Sequence, residues 1–244
     1  MVRAPAALFK TRGFDYAVLM LSNAQQKQIR SLHTKKGRKE SGTCLVEGAK
    51  VIEAAKDAVL WRFSRVDVET EKEFFALVTT STPQEQAAIA KTPTFSLSDI
   101  KKSKTIVVLD GVQDPGNVGT ILRLCHGFSA SVILIDSADV TSPKVVRSSV
   151  GSLFQVPWMV VKRGDAEQLI SELKRTIYRL ERRATSITLR ELPREDEIIL
   201  IAGAEGSGIA LPVTGTSLVI PHDPSLESLN VASALAIALF HRYG

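Results

Sequence analysis

Apolar residues fall along this chain in two rhythms. From Thr105 onward, short unbroken apolar runs recur at Thr105–Leu109, Ser131–Ile135, Ile198–Ala202 and Ser217–Ile220. Such runs predict parallel strands buried on both faces. Between them lie stretches with helical character, Asn117–Phe128 and Ala166–Arg183. In the first, Val118, Ile121, Leu122 and Cys125 fall at i, i+3, i+4 and i+7, which predicts one buried stripe. Strands alternating with helices predict an α/β fold, a parallel sheet covered on both faces.

Before residue 100 the pattern is mixed. Gln25–Leu32 and Gly48–Ala58 predict helices, the second on Val51, Ile52 and Ala55; Thr43–Val46 and Leu77–Thr80 predict strands. Ser81–Phe95 reads as an Ala-rich turn of helix between Pro83 and Pro93. The chain therefore divides into an N-terminal extension over 1–20, a small α/β domain over 21–100 and a larger α/β domain over 101–244. It contains no internal repeat and no low-complexity segment.

Composition narrows the class. With 44% hydrophobic and 23% charged residues, the chain can bury a core without staples. Its two cysteines, Cys44 and Cys125, are too few for a disulfide framework and sit in no metal-ligand spacing, so a reducing, cytoplasmic setting and no metal are expected. No apolar run approaches the ~20 residues that span a bilayer, so no membrane association is expected. Residues 1–20 are mildly basic without a secretory core, and a mitochondrial targeting segment is the alternative to a plain extension. The net charge of +5 is unevenly spread: residues 1–50 hold ten Lys/Arg against three acids, leaving the remainder slightly negative. Arg30, Lys35, Lys36, Arg38 and Lys39 are the densest part, a candidate polyanion surface whose bland alternative is a solvated charge run.

Three loops carry candidate chemistry. LDGVQDPGNVGTILRLCHGF over 109–128 passes from a strand through a glycine-rich loop into a helix. There Asn117 is either the helix N-cap or a functional amide, and Arg123, opposite the buried stripe, is either a surface arginine or a functional one. LIAGAEGSG over 200–208 lacks dinucleotide-fingerprint spacing, leaving a glycine-rich loop with one carboxylate, Glu205, at a strand's carboxyl end, where α/β sheets bind ligands. LVIPHDPSLESLNVASALAIALF over 218–240 runs from a strand into an almost wholly apolar helix starting at Ser228 or Asn230, and such a helix needs cover on every face. Ser228 serves there as a cap, as a functional hydroxyl, or as both.

In this order the three stretches resemble the signature motifs of the SpoU/TrmH methyltransferases of the SPOUT superfamily. The resemblance covers about 105–243, including KVVRSSVGSLFQVP over 144–157. LSNAQQKQIRSLHTKKGRKESGTCLVEG is similar to the substrate-binding domain of the ribosomal RNA members. The resemblance implies a parallel sheet with a deep C-terminal trefoil knot, preceded by a small α/β RNA-binding domain. It implies transfer of a methyl group from S-adenosylmethionine to a ribose 2′-hydroxyl of RNA, most naturally 23S-type ribosomal RNA, by a homodimer. Gly203, Ile220, Leu229 and Ser228 would line the cofactor, and Asn117, Arg123, Glu205, Ser228 and Asn230 would form the polar active site. A guanidinium keeps its proton in proteins, so Arg123 suits a phosphate and a developing alkoxide better than the role of base. Pro224, where the family often has glycine, and the poorly matching Tyr178–Leu192 are the departures. A transfer RNA methyltransferase and a non-catalytic RNA-binding assembly factor are the rival readings.

Overall fold

The computed structural model describes residues 20–80 and 84–243, together with the backbone of a two-residue antiparallel pair, β1 (Ala7–Leu8) and β2 (Ala17–Val18). The expectations for residues 1–20 otherwise lie outside the described residues. The chain forms two compact units, residues 1–92 with 141–154, and residues 93–140 with 155–244.

In the first unit α1 (Asn23–Ser31) starts at a capping box in which Ser22 and Gln25 satisfy each other's backbone N–H groups. Thr34 caps α2 (Lys35–Ser41), and Gly42, at φ 62°, ends it. The strands β3 (Thr43–Glu47), β4 (Val59–Ser64) and β5 (Gln86–Lys91) form an antiparallel sheet in the order β3-β5-β4. Helices α3 (Ala49–Ala55) and α4 (Glu71–Leu77) complete this part of the unit. Its core is Ile29, Leu32, Leu45, Phe63, Phe74, Leu77 and Ile89.

Two expectations fail here. Leu77 closes a helix rather than opening a strand, because Thr70 caps the run Glu71–Leu77 and puts Phe74 and Leu77 into the core. The Ala-rich stretch is no helix either: Ala87, Ala88 and Ala90 are fully buried in β5, the central strand, where small side chains fit between two neighbours. Tertiary packing overrides alanine's helix propensity.

The second unit contains α5 (Leu97–Lys101), β6 (Thr105–Asp110), α6 (Pro115–Gly127), β7 (Ser131–Ile135), and then, beyond α7 (Pro143–Ser148), β8 (Trp158–Val161), α8 (Arg163–Glu172), β9 (Thr176–Leu180), β10 (Ile187–Thr188), β11 (Ile198–Gly203), β12 (Thr216–Val219) and α9 (Val231–Tyr243). Helix α7 itself packs on β3 and belongs with residues 141–154 to the first unit. The seven strands are parallel throughout, in the order β10-β12-β9-β11-β6-β7-β8. Every residue of β6 and β7 is buried, as the unbroken apolar runs require. The expected helix 166–183 is interrupted: Lys174 adopts φ 52°, and Thr176–Leu180 continues as a strand between β11 and β12. A left-handed residue ends the helical repeat, and the β-branched and aromatic side chains that follow suit a strand.

Candidate active site

The carboxyl ends of β6, β11 and β12 lead into the three motif loops, and the sequence explains each exit. After Asp110, Gly111 turns at φ 75°. Asp114 then caps α6, its Oδ1 accepting from the N–H of Asn117 at 2.8 Å, with Pro115 at the first helical position. The cap is Asp114 and not Asn117, so the Asn117 side chain is left to do something else.

That amide joins two residues far away in sequence. Asn117 Nδ2 donates to Glu205 Oε1 at 2.5 Å, and Asn230 Nδ2 donates to Asn117 Oδ1 at 3.0 Å and to Glu205 Oε1 at 3.2 Å. Asn230 in turn accepts, through Oδ1, from the N–H groups of Ala232 and Ser233 at 3.0 and 3.2 Å, which makes it the cap of α9. Ser228 is exposed and does not cap that helix. One residue from each motif therefore meets in a solvent-facing polar cluster.

Arg123 lies two turns along α6 from Asn117, exposed and with no hydrogen bond or ion pair among the described residues. The arginine is thus available to an anionic partner. Ile220 and Leu229 are half-buried, and the Ile220 carbonyl accepts from His222 Nδ1 at 2.7 Å. His222 Nε2 faces Arg182 Nη2 at 2.8 Å, so the ring's proton belongs on Nδ1.

Gly203 has a local reason to be glycine. A Cβ there would stand 2.2 Å from the Gly208 carbonyl and 2.4 Å from the Ile209 nitrogen, because the chain doubles back through an Ala204–Gly208 bridge. The loop's own fold requires glycine whatever else binds beside it. By contrast, a Cβ on Gly206 or Gly208 would meet nothing within 4 Å.

Several site-shaping residues have no counterpart in the sequence reading. Asp110, 1% exposed, accepts from the N–H groups of Ala210 and Leu211. Arg179 donates to the carbonyls of Leu211 and Val213 at 3.1 and 2.7 Å, fixing the segment that leads to β12. Burial opposes ionisation of Glu181, but hydrogen bonds from Arg179 and Ser217 outweigh it and hold the carboxyl below the usual carboxylate range. An acid closing an apolar run, TIVVLD, is a legible signal for Asp110 alone.

The basic set of the first unit divides. Arg30, Lys35, Lys36 and Lys39 are exposed, whereas Arg38 is buried and donates to the carbonyl of Leu32 and the hydroxyl of Thr141. Arg38 is an internal brace, a correction to its place among the polyanion-facing residues. A cavity of about 730 Å³ opens at the amino ends of β6 and β7, lined among others by Phe95, Phe128, Arg242 and Tyr243. None of Asn117, Arg123, Glu205, Ser228 and Asn230 lines it, and its Lys102 and Lys104 are paired with Asp99 and Glu195. Parallel sheets bind ligands at the other end.

Comparison with known proteins identifies the family. The profile of the SpoU rRNA Methylase family matches residues 104–240, and that of the MRM3-like substrate binding domain matches residues 23–99. The chain is 33% identical, over 91% of its length and 97% of the relative's, to the 23S rRNA (guanosine(2553)-2′-O)-methyltransferase RlmP of Bacillus subtilis. An AdoMet-bound rRNA methyltransferase from Sinorhizobium meliloti superposes with a TM-score of 0.79 at 27% identity, covering 92% of this chain and 96% of that one. A TrmH-family structure from Porphyromonas gingivalis gives 0.77 at 31% identity, covering 91% and 98%. The fold and the loops define a methylase-type catalytic unit on a parallel sheet. The chain belongs to the SpoU rRNA Methylase family.

Proposed function

We propose that this protein transfers a methyl group from S-adenosylmethionine to a ribose 2′-hydroxyl of ribosomal RNA, of the 23S type. The observation that carries the reading is the meeting of Asn117, Glu205 and Asn230, one from each motif, at the carboxyl ends of the central strands. Relatives named as 23S rRNA 2′-O-methyltransferases support it.

The residues present fit the cofactor: the turn at Gly206 and Gly208 has open space beside it, and Ile220 and Leu229 of the third motif are half-buried. We assign the cradle to Gly203, Ile220, Ser228 and Leu229. When bound, the cofactor supplies a methyl group already activated on a sulfonium, so the protein's task is placement and charge. Asn117 and Asn230 hold Glu205 and so hold the three loops in register. Arg123, a guanidinium with no ion pair among the described residues, steadies an RNA phosphate and the oxygen that becomes anionic as the 2′-hydroxyl loses its proton. Holding two reactants in line is itself a large part of such a rate.

The first unit is the substrate-binding domain in this reading, with Arg30, Lys35, Lys36 and Lys39 facing phosphates. The active species is a homodimer: α9 buries Val231, Leu235 and Leu239 but leaves Ile237, Phe240 and Tyr243 exposed, an apolar strip that a second copy would cover. A C-terminal trefoil knot and a cytoplasmic location complete the proposal, the latter supported by the bacterial relatives. Labelled-methyl transfer to total RNA, followed by mapping of 2′-O-methyl sites with and without the gene, tests it. Methylation of transfer RNA alone, or of a base, would replace this reading.

A further inference from the structure

We infer that Asp110 is a positioning residue for methyl transfer, its buried carboxylate clamping the loop that presents Glu205 to the strand end from which the first motif departs. The inference rests on the methyltransferase reading above. In the ladder Asp110 stands beside Gly203, the last residue of β11. The chain leaves Gly203, turns through Glu205 to Ser207, closes at the Ala204–Gly208 bridge and returns past Asp110. There Asp110 Oδ2 accepts from the N–H of Ala210 at 2.6 Å and of Leu211 at 2.7 Å. Both legs of the turn are thus fixed at the level of one residue, and its tip carries Glu205 to Asn117 and Asn230.

A carboxylate is the side chain this geometry demands. Oδ1 accepts from Arg163 Nη2 at 2.7 Å, so donors converge on both oxygens. An asparagine would turn its NH2 toward a donor in either orientation. Arg163, at the start of α8, also donates from Nε to Asp136 at 2.6 Å, and these two carboxylates, Asp136 foremost, raise its proton affinity above the ordinary guanidinium value. The buried charge of Asp110 is therefore compensated from one side while its other oxygen is committed to the loop.

The alternative is an ion pair that merely stabilises the fold, and Asp110→Asn and Arg163→Met separate the two. Arg163→Met removes the cation yet leaves both loop N–H bonds in place. In full-length protein, S-adenosylmethionine titration and single-turnover transfer to RNA should show affinity falling about tenfold or more in Asp110→Asn but within about threefold in Arg163→Met. Equal losses in the two variants would overturn the inference. Should Asp110→Asn fail to fold, wild type still decides: without cofactor, the amides of Ala210 and Leu211 should exchange with heavy water about a hundredfold or more slower than open-chain amides. Free exchange at those two amides would overturn the clamp. Wild type with protected amides but no affinity for S-adenosylmethionine would overturn the methyltransferase reading and leave the clamp standing.

Discussion

Arg38 donates from Nη1 to the carbonyl oxygen of Leu32 at 2.7 Å, inside the first unit, while Lys35, Lys36 and Lys39 around it point to solvent. Four basic residues in a row of five thus divide between packing and surface. Reversing Lys35, Lys36 and Lys39 to Glu should weaken RNA binding and flatten its salt dependence by about 0.9 in log–log slope for each phosphate no longer neutralised. Fold and cofactor affinity should be unchanged. Arg38→Glu should instead lower stability by about 3 kcal/mol, through a buried charge without partners. Filter binding across a salt series, beside urea melts, checks both; an unchanged slope in the triple variant would make these lysines a solvated run.

Arg123→Ala should reduce single-turnover methyl transfer by about a hundredfold or more while sparing the melting temperature and cofactor affinity. The side chain is exposed and braces nothing among the described residues. Arg123→Lys should recover little, because an ammonium lacks the planar pair of donors that grips a phosphate. Near-normal transfer by Arg123→Ala would return it to the ordinary surface.

A Cβ on Gly37 would lie 2.1 Å from the Ser31 carbonyl oxygen, backbone against backbone, so α1 and α2 approach only because residue 37 has no side chain. Gly37→Ala should cost about 1–3 kcal/mol and misplace the basic face of α2. RNA affinity should fall with S-adenosylmethionine affinity intact, as parallel titrations would show.

Glu181 titrates below the usual carboxylate range because hydrogen bonds from Arg179 and Ser217 overcome the penalty of burial. A depressed carboxyl adds stability above its unfolded value, and that stability is lost as pH falls through the folded value. Glu181→Gln should therefore be less stable than wild type at neutral pH, and the gap should close in acid. Urea midpoints of both proteins over that range decide it; a constant gap would point to packing instead of charge.

The exposed strip Ile237, Phe240 and Tyr243 predicts that Phe240→Glu yields a monomer where wild type sediments near twice 26.5 kDa. A wild-type monomer at micromolar concentration would leave the strip to another partner.

How far the fold is legible depends on which force set each element. β6, β7 and β11 are readable to within a residue because full burial on both faces leaves an unbroken apolar run. β9 is not, since its start is set by a single left-handed residue, Lys174, that nothing in the sequence marks. β5 is hidden for the opposite reason, its alanines having been selected by neighbouring strands. The polar cluster is beyond periodicity altogether, with Asn117 separated from Glu205 by 88 positions and from Asn230 by 113. Only the ordered motifs bring those residues forward. Within this chain α9 buries one side, and its last turn buries Arg242 against Thr105 and the carbonyls of Pro193 and Asp196.

Residues 141–154 belong to the first unit although β6, α6 and β7 come before them. Within that unit Glu47, its carboxylate buried, accepts from Arg147 at 3.0 Å across 100 positions of sequence. On a ribosome, the amino-terminal unit is therefore still unfinished when its own strands have emerged. Glu47 waits for its cation until much of the first half of the catalytic sheet has been synthesised. The order of translation thus ties completion of the first unit to the start of the second. A graft of residues 1–92 onto another methylase would carry the lock without its key.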